Sequence, residues 1–463
     1  MDNFFATDRK LTAKNLAAIL LLAAAARFAL LLALGPQAEL DTGPYLDGAR
    51  LLLETGSFSE VDAVTGQLTP FAYRMPLFHA FAAGLMQVFG ADIAWPLALA
   101  NILFSVAAIP LAMVVLYAAA GPAAAVAAGY LMAIAPNSVF NSVLLLTDSM
   151  FAFFSAVSFI AGLQALKNRS GARFFLWGAA IGLCVMIRPI LQYYFIVPPL
   201  LLFSPLFRAE WRARARYCAL VLLGMAVFMA PWVARNSLQL GFVGLETNQG
   251  VNTLVSTIHL VRPSTPEQAL ADPRLAAVRD IVARHTGALE AEAEARAALK
   301  LTPVEASAYL KRLGVEVILQ NPLRVPRLYL RNAVNIVTSP SAFMELAARL
   351  SGKTTAVFPH ISVALQNRDW RTLAVNLGPR LLLALLFLVC APLGVRLLWR
   401  NADADRKLAI ALLLATTVYT VGLTSMVAGY DRYRLPLEPF LLGFAAVWLL
   451  SLRARGRAPA GEK

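Results

Sequence analysis

The chain has 463 residues, 59% of them hydrophobic and 15% charged, with 41 Lys and Arg against 27 Asp and Glu for a net charge of +14. A mean hydropathy of +0.64 excludes an ordinary soluble chain. The surplus positive charge is therefore a question of membrane sidedness, and no nucleic-acid partner is expected.

Apolar runs predict an all-α polytopic membrane protein of about ten helices, at about 16–34, 94–117, 123–145, 148–166, 173–188, 190–206, 217–234, 379–398, 407–427 and 434–452. The first run, "LAAILLLAAAARFALLLALG", is too long and too poor in Arg at its start for a cleaved leader, and reads as a retained helix. Arg27 inside it is expected to snorkel outward. Next comes "ELDTGPYLDGARLLLETGSF", where Gly35, Pro36, Gly43 and Pro44 prevent helix continuation around Asp41. Asp41 has two readings, a solvated loop acid or a carboxylate that takes a proton from an acceptor hydroxyl.

The stretch "RMPLFHAFAAGLMQVFG" offers only the residues from Pro76 to Gly90 for a helix, short of the roughly 20 that cross a bilayer. With it left out, every basic cluster beside a span falls on one side: Arg9, Lys10 and Lys14; Lys167, Arg169 and Arg173; Arg208, Arg212, Arg214 and Arg216; Arg396, Arg400, Arg406 and Lys407; and Arg453, Arg455, Arg457 and Lys463. Counting it as a span would send the clusters after it to the other side, against the positive-inside rule. It is expected to lie on the outer face as a juxtamembrane helix, with both termini cytoplasmic.

In "LLLTDSMF", Asp148 stands alone among apolar residues where an outward helix meets an inward one. A carboxylate there is either a functional group or a helix N-cap. Arg74, Arg188, Arg235, Arg432 and Arg434 sit on the outer face beside spans, where charge bias disfavours them. A set of guanidinium forks on one cavity would hold an anionic headgroup; the plainer reading pairs each locally, for example Arg432 with Asp431.

Residues 235–378 form a second outer piece, helical in composition, with "TPVE" as an N-cap and capping box. "NPLRVPRLYLRNAVNIV" resembles an interfacial helix resting on lipid. The expected organisation is 1–234 as an N-terminal membrane module with outer loop 35–93, 235–378 as a helical cap, and 379–463 as C-terminal spans. The three cysteines (Cys184, Cys218, Cys390) have no CxxC spacing, and His79, His259, His285 and His360 have no ligand spacing, so no metal site is expected. There is no P-loop, GxGxxG or GxSxG signature.

Five stretches taken together resemble the polyprenyl-phosphate-sugar-dependent glycosyltransferases of the GT-C superfamily, in particular bacterial relatives of protein O-mannosyltransferases and lipid A aminoarabinose transferases. They are "LDTGPYLDGARLLLETGSFS" with "TPFAYRMPLFHAFAAGLMQVFG", then "LLLTDSMF", "GLCVMIRPI", "APWVARNSLQLGFVGLETNQGVN" and "DRYRLPLEPF", in the family's order over almost the whole chain. The resemblance implies a GT-C-like bundle with outer-face juxtamembrane helices in a cell inner membrane. It places the family's catalytic acid on Asp41, ahead of Tyr45, and its second outer acid on Asp148. It implies that Asp41 activates an acceptor hydroxyl, that the sugar leaves a polyprenyl phosphate with inversion, and that arginines among Arg74, Arg188, Arg235, Arg432 and Arg434 hold the donor phosphate. Tyr45, Asn248 and Asn252 would contact substrate, although "TNQGVN" also reads as a structural turn. Thr42 stands where many members carry a second acid, which weakens a divalent-cation site in this loop, and "RMP" replaces "RPP". The acceptor, whether lipid, protein or polysaccharide, is not specified. The competing class is a transporter or flippase of a lipid-linked glycan, which would also want outer arginines but has no stated need for Asp41.

Overall fold

The computed structural model describes residues 9–62, 64–258, 296–298, 300–352 and 370–455. The expected cap at 235–378 therefore lies partly outside the described residues, and His259, His285, His360, Arg457 and Lys463 lie wholly outside them.

The described chain is helical apart from one antiparallel hairpin, β1 (Ser59–Val61) with β2 (Leu68–Pro70), which the all-α expectation did not contain. Six helices are long and apolar enough to cross a membrane. They are α1 (Arg9–Leu34), α4 (Ala94–Ala120), α7 (Asp148–Asn168), α10 (Trp211–Leu240), the continuous run from Leu377 to Asn401, and α17 (Ala404–Ser425). In that run α15 (Trp370–Ala384) passes through a π-helical turn, Leu385–Cys390, into α16 (Ala391–Asn401). Four further expected spans are shorter or broken.

The run predicted at 123–145 is helical only as α5 (Pro122–Ile134) and the one-turn α6 (Pro136–Asn141). Pro136 forces Ala135 out of the helical region, to φ −59° and ψ 122°. The run predicted at 190–206 is not one helix either. It is two 3-10 turns, Pro189–Leu191 and Tyr194–Ile196, leading into α9 (Val197–Leu202), in a stretch interrupted by Pro189, Pro198 and Pro199. α8 (Gly171–Ile187) and α18 (Glu438–Arg455) complete the bundle.

α8 and α10 approach backbone to backbone. A Cβ on Gly178 would lie 2.0 Å from the Val221 carbonyl, and one on Gly224 2.2 Å from that of Phe175. Two short helices, α2 (Thr42–Thr55) and α3 (Pro76–Phe89), pack on each other through Gly48 and His79. The second outer piece contributes α11 (Gln249–Ile258), α12 (Pro303–Gln320), α13 (Arg324–Thr338) and α14 (Ser341–Leu350). The capping box at the start of α12 is formed as the sequence predicts, Thr302 accepting from the Glu305 amide and Glu305 from that of Thr302.

Arg27 does not snorkel. It is fully buried and donates to Ser105 Oγ (2.9 Å), Ser138 Oγ (2.6 Å) and the carbonyls of Ala23 and Ala133 (3.0 Å each). The break after α5 frees carbonyls that no helical amide reaches, and the guanidinium fork satisfies them inside the bundle. Arg27→Met should therefore destabilise the fold by about 3 kcal/mol, since each hydrogen bond to a charged group contributes roughly 1.5–3 kcal/mol. Thermal unfolding in detergent checks this; a melting temperature equal to wild type would refute it.

Candidate active site

The site begins where α1 ends. Gly35, at φ +69°, turns the chain out of the helix, and Gln37 then pairs in parallel with Leu144 in the irregular segment before α7. The Gln37 amide donates to the Val143 carbonyl (3.0 Å) and the Leu145 amide to the Gln37 carbonyl (2.9 Å). Thr42 Oγ1 donates to the Leu145 carbonyl, and Asn101 Nδ2 to those of Leu144 and Leu146. Asp41 and Asp148 each follow their bridge partner by four residues, so the pairing delivers both acids to the same end of the bundle.

Asp41 is half-buried and makes no capping bond to α2. It accepts from Arg74 Nη2 at 2.8 Å, and its other carboxylate oxygen lies 3.8 Å from Arg432. Asp148 is buried and makes no capping bond either, so the N-cap reading fails; its partner is Arg188. Arg188 reaches it because Pro189 holds Arg188 extended, at φ −146° and ψ 130°, where α8 stops. Burial alone would lower the Arg432 pKa, but Asp148, Tyr433, Asp41 and Tyr45 around it raise it. Arg432 thus lies between the two acids. Tyr45 and Tyr73 lie under the Arg74 guanidinium, at 5.0 and 5.3 Å, and Tyr433 under that of Arg188 at 5.6 Å. Arg74 Nε and Arg432 Nε are buried without a hydrogen-bond acceptor among the described residues.

Of the five arginines expected on the outer face, Arg74, Arg188 and Arg432 come together, and the other two chiefly serve backbone. Arg235 donates to the carbonyls of Phe58 and Phe71, tying α10 to the loop beside the hairpin. Arg434 is buried and donates to the carbonyls of Ile336, Val337 and Ser339 at the end of α13. Nor does Arg432 pair with Asp431, whose carboxylate accepts from the Ala342 amide at the start of α14. Asn248 is half-buried, with a buried Oδ1 that has no partner among the described residues, and Asn252 lies on α11. The segment holding them is fixed by the Thr247 amide on the Ala72 carbonyl (2.8 Å) and by Ser307 on the Thr247 carbonyl.

That segment also carries a residue the sequence reading passed over. Glu246 is half-buried, and burial pushes its pKa up to about 7 against the opposing charges of Arg74 and Arg188. A lone acid so soon after a span that ends in Arg235 was the available signal. With Glu246 the site balances three guanidinium groups against three carboxyl groups.

Asp41 and Asp148 share one end of the bundle, as two crossings between them, by α4 and by the α5–α6 run, would bring about. The short helix α3 lies between them in the chain. At 14 residues it spans about 21 Å, less than the hydrocarbon thickness.

No protein-family model and no curated protein matches the chain. Solved structures of the oligosaccharyltransferase AglB from Archaeoglobus fulgidus do. The complex with an inhibitory peptide and a dolichol-phosphate superposes with a TM-score of 0.51 at 16% identity, over 99% of this chain and 53% of AglB. The apo form gives 0.52 at 14% identity, over 98% and 52%. The chain spans about half the length of AglB. ArnT from Cupriavidus metallidurans bound to undecaprenyl phosphate aligns more loosely, with a TM-score of 0.40 at 18% identity over 95% of this chain and 79% of ArnT. The chain shares the fold of the matched part of AglB, and its six long apolar helices make it a multi-pass helical membrane protein.

A raised carboxyl pKa has a defined effect on stability. Glu246 binds its proton more tightly folded than unfolded, so its contribution falls as pH rises from about 4.5 through about 7. Glu60, also pushed up to about 7, chiefly by burial, adds the same sign. Glu246→Gln should therefore lose part of the fall in melting temperature across that window and retain the share due to Glu60. An unchanged slope would place Glu246 in solvent.

Proposed function

We propose that this chain is an inverting glycosyltransferase that moves a sugar from a polyprenyl-phosphate donor to an acceptor hydroxyl on the outer face of the membrane. The observation that carries the reading is the cluster itself: Arg74, Arg188 and Arg432 packed around Asp41 and Asp148, with two buried guanidinium Nε–H groups lacking an acceptor. Charged donors left unmet in a closed site favour a ligand rich in acceptor oxygens, and phosphate fits the guanidinium fork. The GT-C fold is consistent with this, and one AglB structure holds a dolichol-phosphate in AglB itself.

In the proposed reaction the acceptor O–H gives its proton to the Asp41 carboxylate while the oxygen attacks the anomeric carbon. The bond from that carbon to the phosphate oxygen breaks, and its electron pair leaves with the polyprenyl phosphate. Arg74, Arg188 and Arg432 oppose the charge growing on the leaving group, a preorganised electrostatic contribution. Asp148 holds Arg188 and Arg432 in place. The incoming phosphate competes with Asp41 for Arg74, so donor capture turns a salt-bridged carboxylate toward the acceptor. In this reading Tyr45, which stacks on Arg74, and Asn248 and Asn252 contact the sugar or the headgroup. The basic loop clusters support a site on the face opposite the cytoplasm, and the resemblance makes that the periplasmic side of an inner membrane.

The test compares envelope glycans by mass spectrometry in cells lacking the chain, and in the same cells given back wild type or Asp41→Asn at matched protein level. One sugar should vanish on deletion and return only with wild type, because losing the general base costs roughly a hundredfold or more. Full restoration by Asp41→Asn would remove Asp41 as the base and put transport of a lipid-linked glycan ahead.

A further inference from the structure

Away from the acidic cluster, α13 (Arg324–Thr338) presents two different faces. Val325, Leu328, Asn332 and Ile336 are buried and lie on one side of the helix, toward the bundle. The anchoring is specific: Asn332 Nδ2 donates to the carbonyl of Ser425, the last residue of α17, and Arg380 donates to Asn335 Oδ1 at 3.2 Å. Arg380 is near the start of the span that runs from Leu377 to Asn401. The helix therefore lies at the level where two spans emerge at the site end of the bundle, which is the level of lipid headgroups.

The opposite face is apolar and exposed. At 3.6 residues per turn Leu323, Leu330 and Val334 fall on one stripe. Leu330 is 67% exposed and Leu323 89%, and Leu319, at the end of the preceding α12, is 73% exposed. Beside that stripe, at i, i+3 and i+7, stand the exposed Arg324, Arg327 and Arg331. The helix contains no acidic residue, and no carboxylate among the described residues pairs with Arg327 or Arg331. Trp370, 69% exposed, opens the neighbouring α15, and tryptophan is the residue most enriched at membrane–water boundaries.

We propose that this face of α13 is a binding site for anionic phospholipid in the outer leaflet, with acyl chains against Leu323, Leu330 and Val334 and the phosphodiester headgroup on Arg327 and Arg331. Water alone would leave an apolar stripe exposed, and a neutral headgroup would leave two guanidinium groups without a counter-charge. An anionic phospholipid answers both. The site stands apart from the donor cluster and does not rest on the transferase reading.

The test uses the full chain in detergent, titrated with phosphatidylglycerol or with phosphatidylcholine of the same acyl composition, with bound lipid counted by native mass spectrometry. Wild type should retain phosphatidylglycerol in preference to phosphatidylcholine, and Arg327→Gln with Arg331→Gln should lower that preference roughly thirtyfold, given roughly 1 kcal/mol for each of two arginines near anionic headgroups. Leu330→Ser should weaken retention of both lipids. Melting temperatures in phosphatidylcholine should match wild type in all variants, since these side chains face outward. An equal preference in wild type and the double arginine variant overturns the proposal. So does a result in which the variants change only the mass of the solubilised particle, which would make the face a contact between copies of the chain.

Discussion

The arrangement at the site end of the bundle depends on one short piece of pairing, the parallel bridge between Gln37 and Leu144. Both strands of the bridge are irregular backbone at the mouth of a helical bundle. There, an amide or carbonyl without a partner costs several kcal/mol, because little water can reach it. The pairing, Thr42 on the Leu145 carbonyl and Asn101 on those of Leu144 and Leu146 satisfy the exposed groups. Arg349 adds an outer clasp, donating to Gln37 and to Glu39 from α14. Slipping the register by one residue would move Asp41 relative to Asp148 and separate the arginines that now bridge them. A parallel bridge with equal offsets on both strands is thus the element that converts two distant loop acids into one site.

Electrostatics then explain why the cluster tolerates its own burial. Three guanidinium groups among two aspartates and Glu246 approach neutrality without any ligand, which keeps the desolvation of each charge affordable. In the proposed complex a phosphate would tip that balance negative. Burial already favours the protonated form of Glu246, which makes it the carboxyl best placed to absorb the difference. Arginine suits the remaining positions better than lysine. Its charge survives burial, its face stacks on Tyr45, Tyr73 and Tyr433, and its fork can serve a carboxylate and a phosphate in turn.

The sequence carried the features that depend on composition over many residues or on a strong local grammar. Apolar runs located most spans, the stretch after Arg74 was legible as one short helix, Pro76–Phe89, and "TPVE" announced its capping box. Asp148 stood out because a lone acid in apolar surroundings is costly, and Asp41 because of its place in the first of the resembling stretches. What stayed hidden is long-range and backbone-directed. Nothing local in "PWVARN" says that Arg235 will grip the carbonyls of Phe58 and Phe71, and nothing in "DRYRLP" separates Arg432, which meets Asp41, from Arg434 two residues later, which caps α13. Hydropathy reads 190–206 as a span because it counts side chains; the prolines that break it act on the backbone.

Six arginines divide chiefly by what they answer. Arg27, Arg235 and Arg434 each reach backbone carbonyls, after α5, beside the β-hairpin and at the end of α13, where Arg434 also lies 3.6 Å from Glu438. Arg74, Arg188 and Arg432 answer carboxylates. The first set makes the second possible. A reaction site at a bilayer surface needs side chains projected from loops, loops there leave carbonyls orphaned, and a guanidinium supplies up to five donors on a long stem to collect them. With those carbonyls satisfied from outside the cluster, the three site arginines keep donors in reserve, Nε of Arg74 and of Arg432 among them. The arginines at this end of the bundle therefore answer two demands, and meeting the backbone's is the condition for gathering the others around carboxylates.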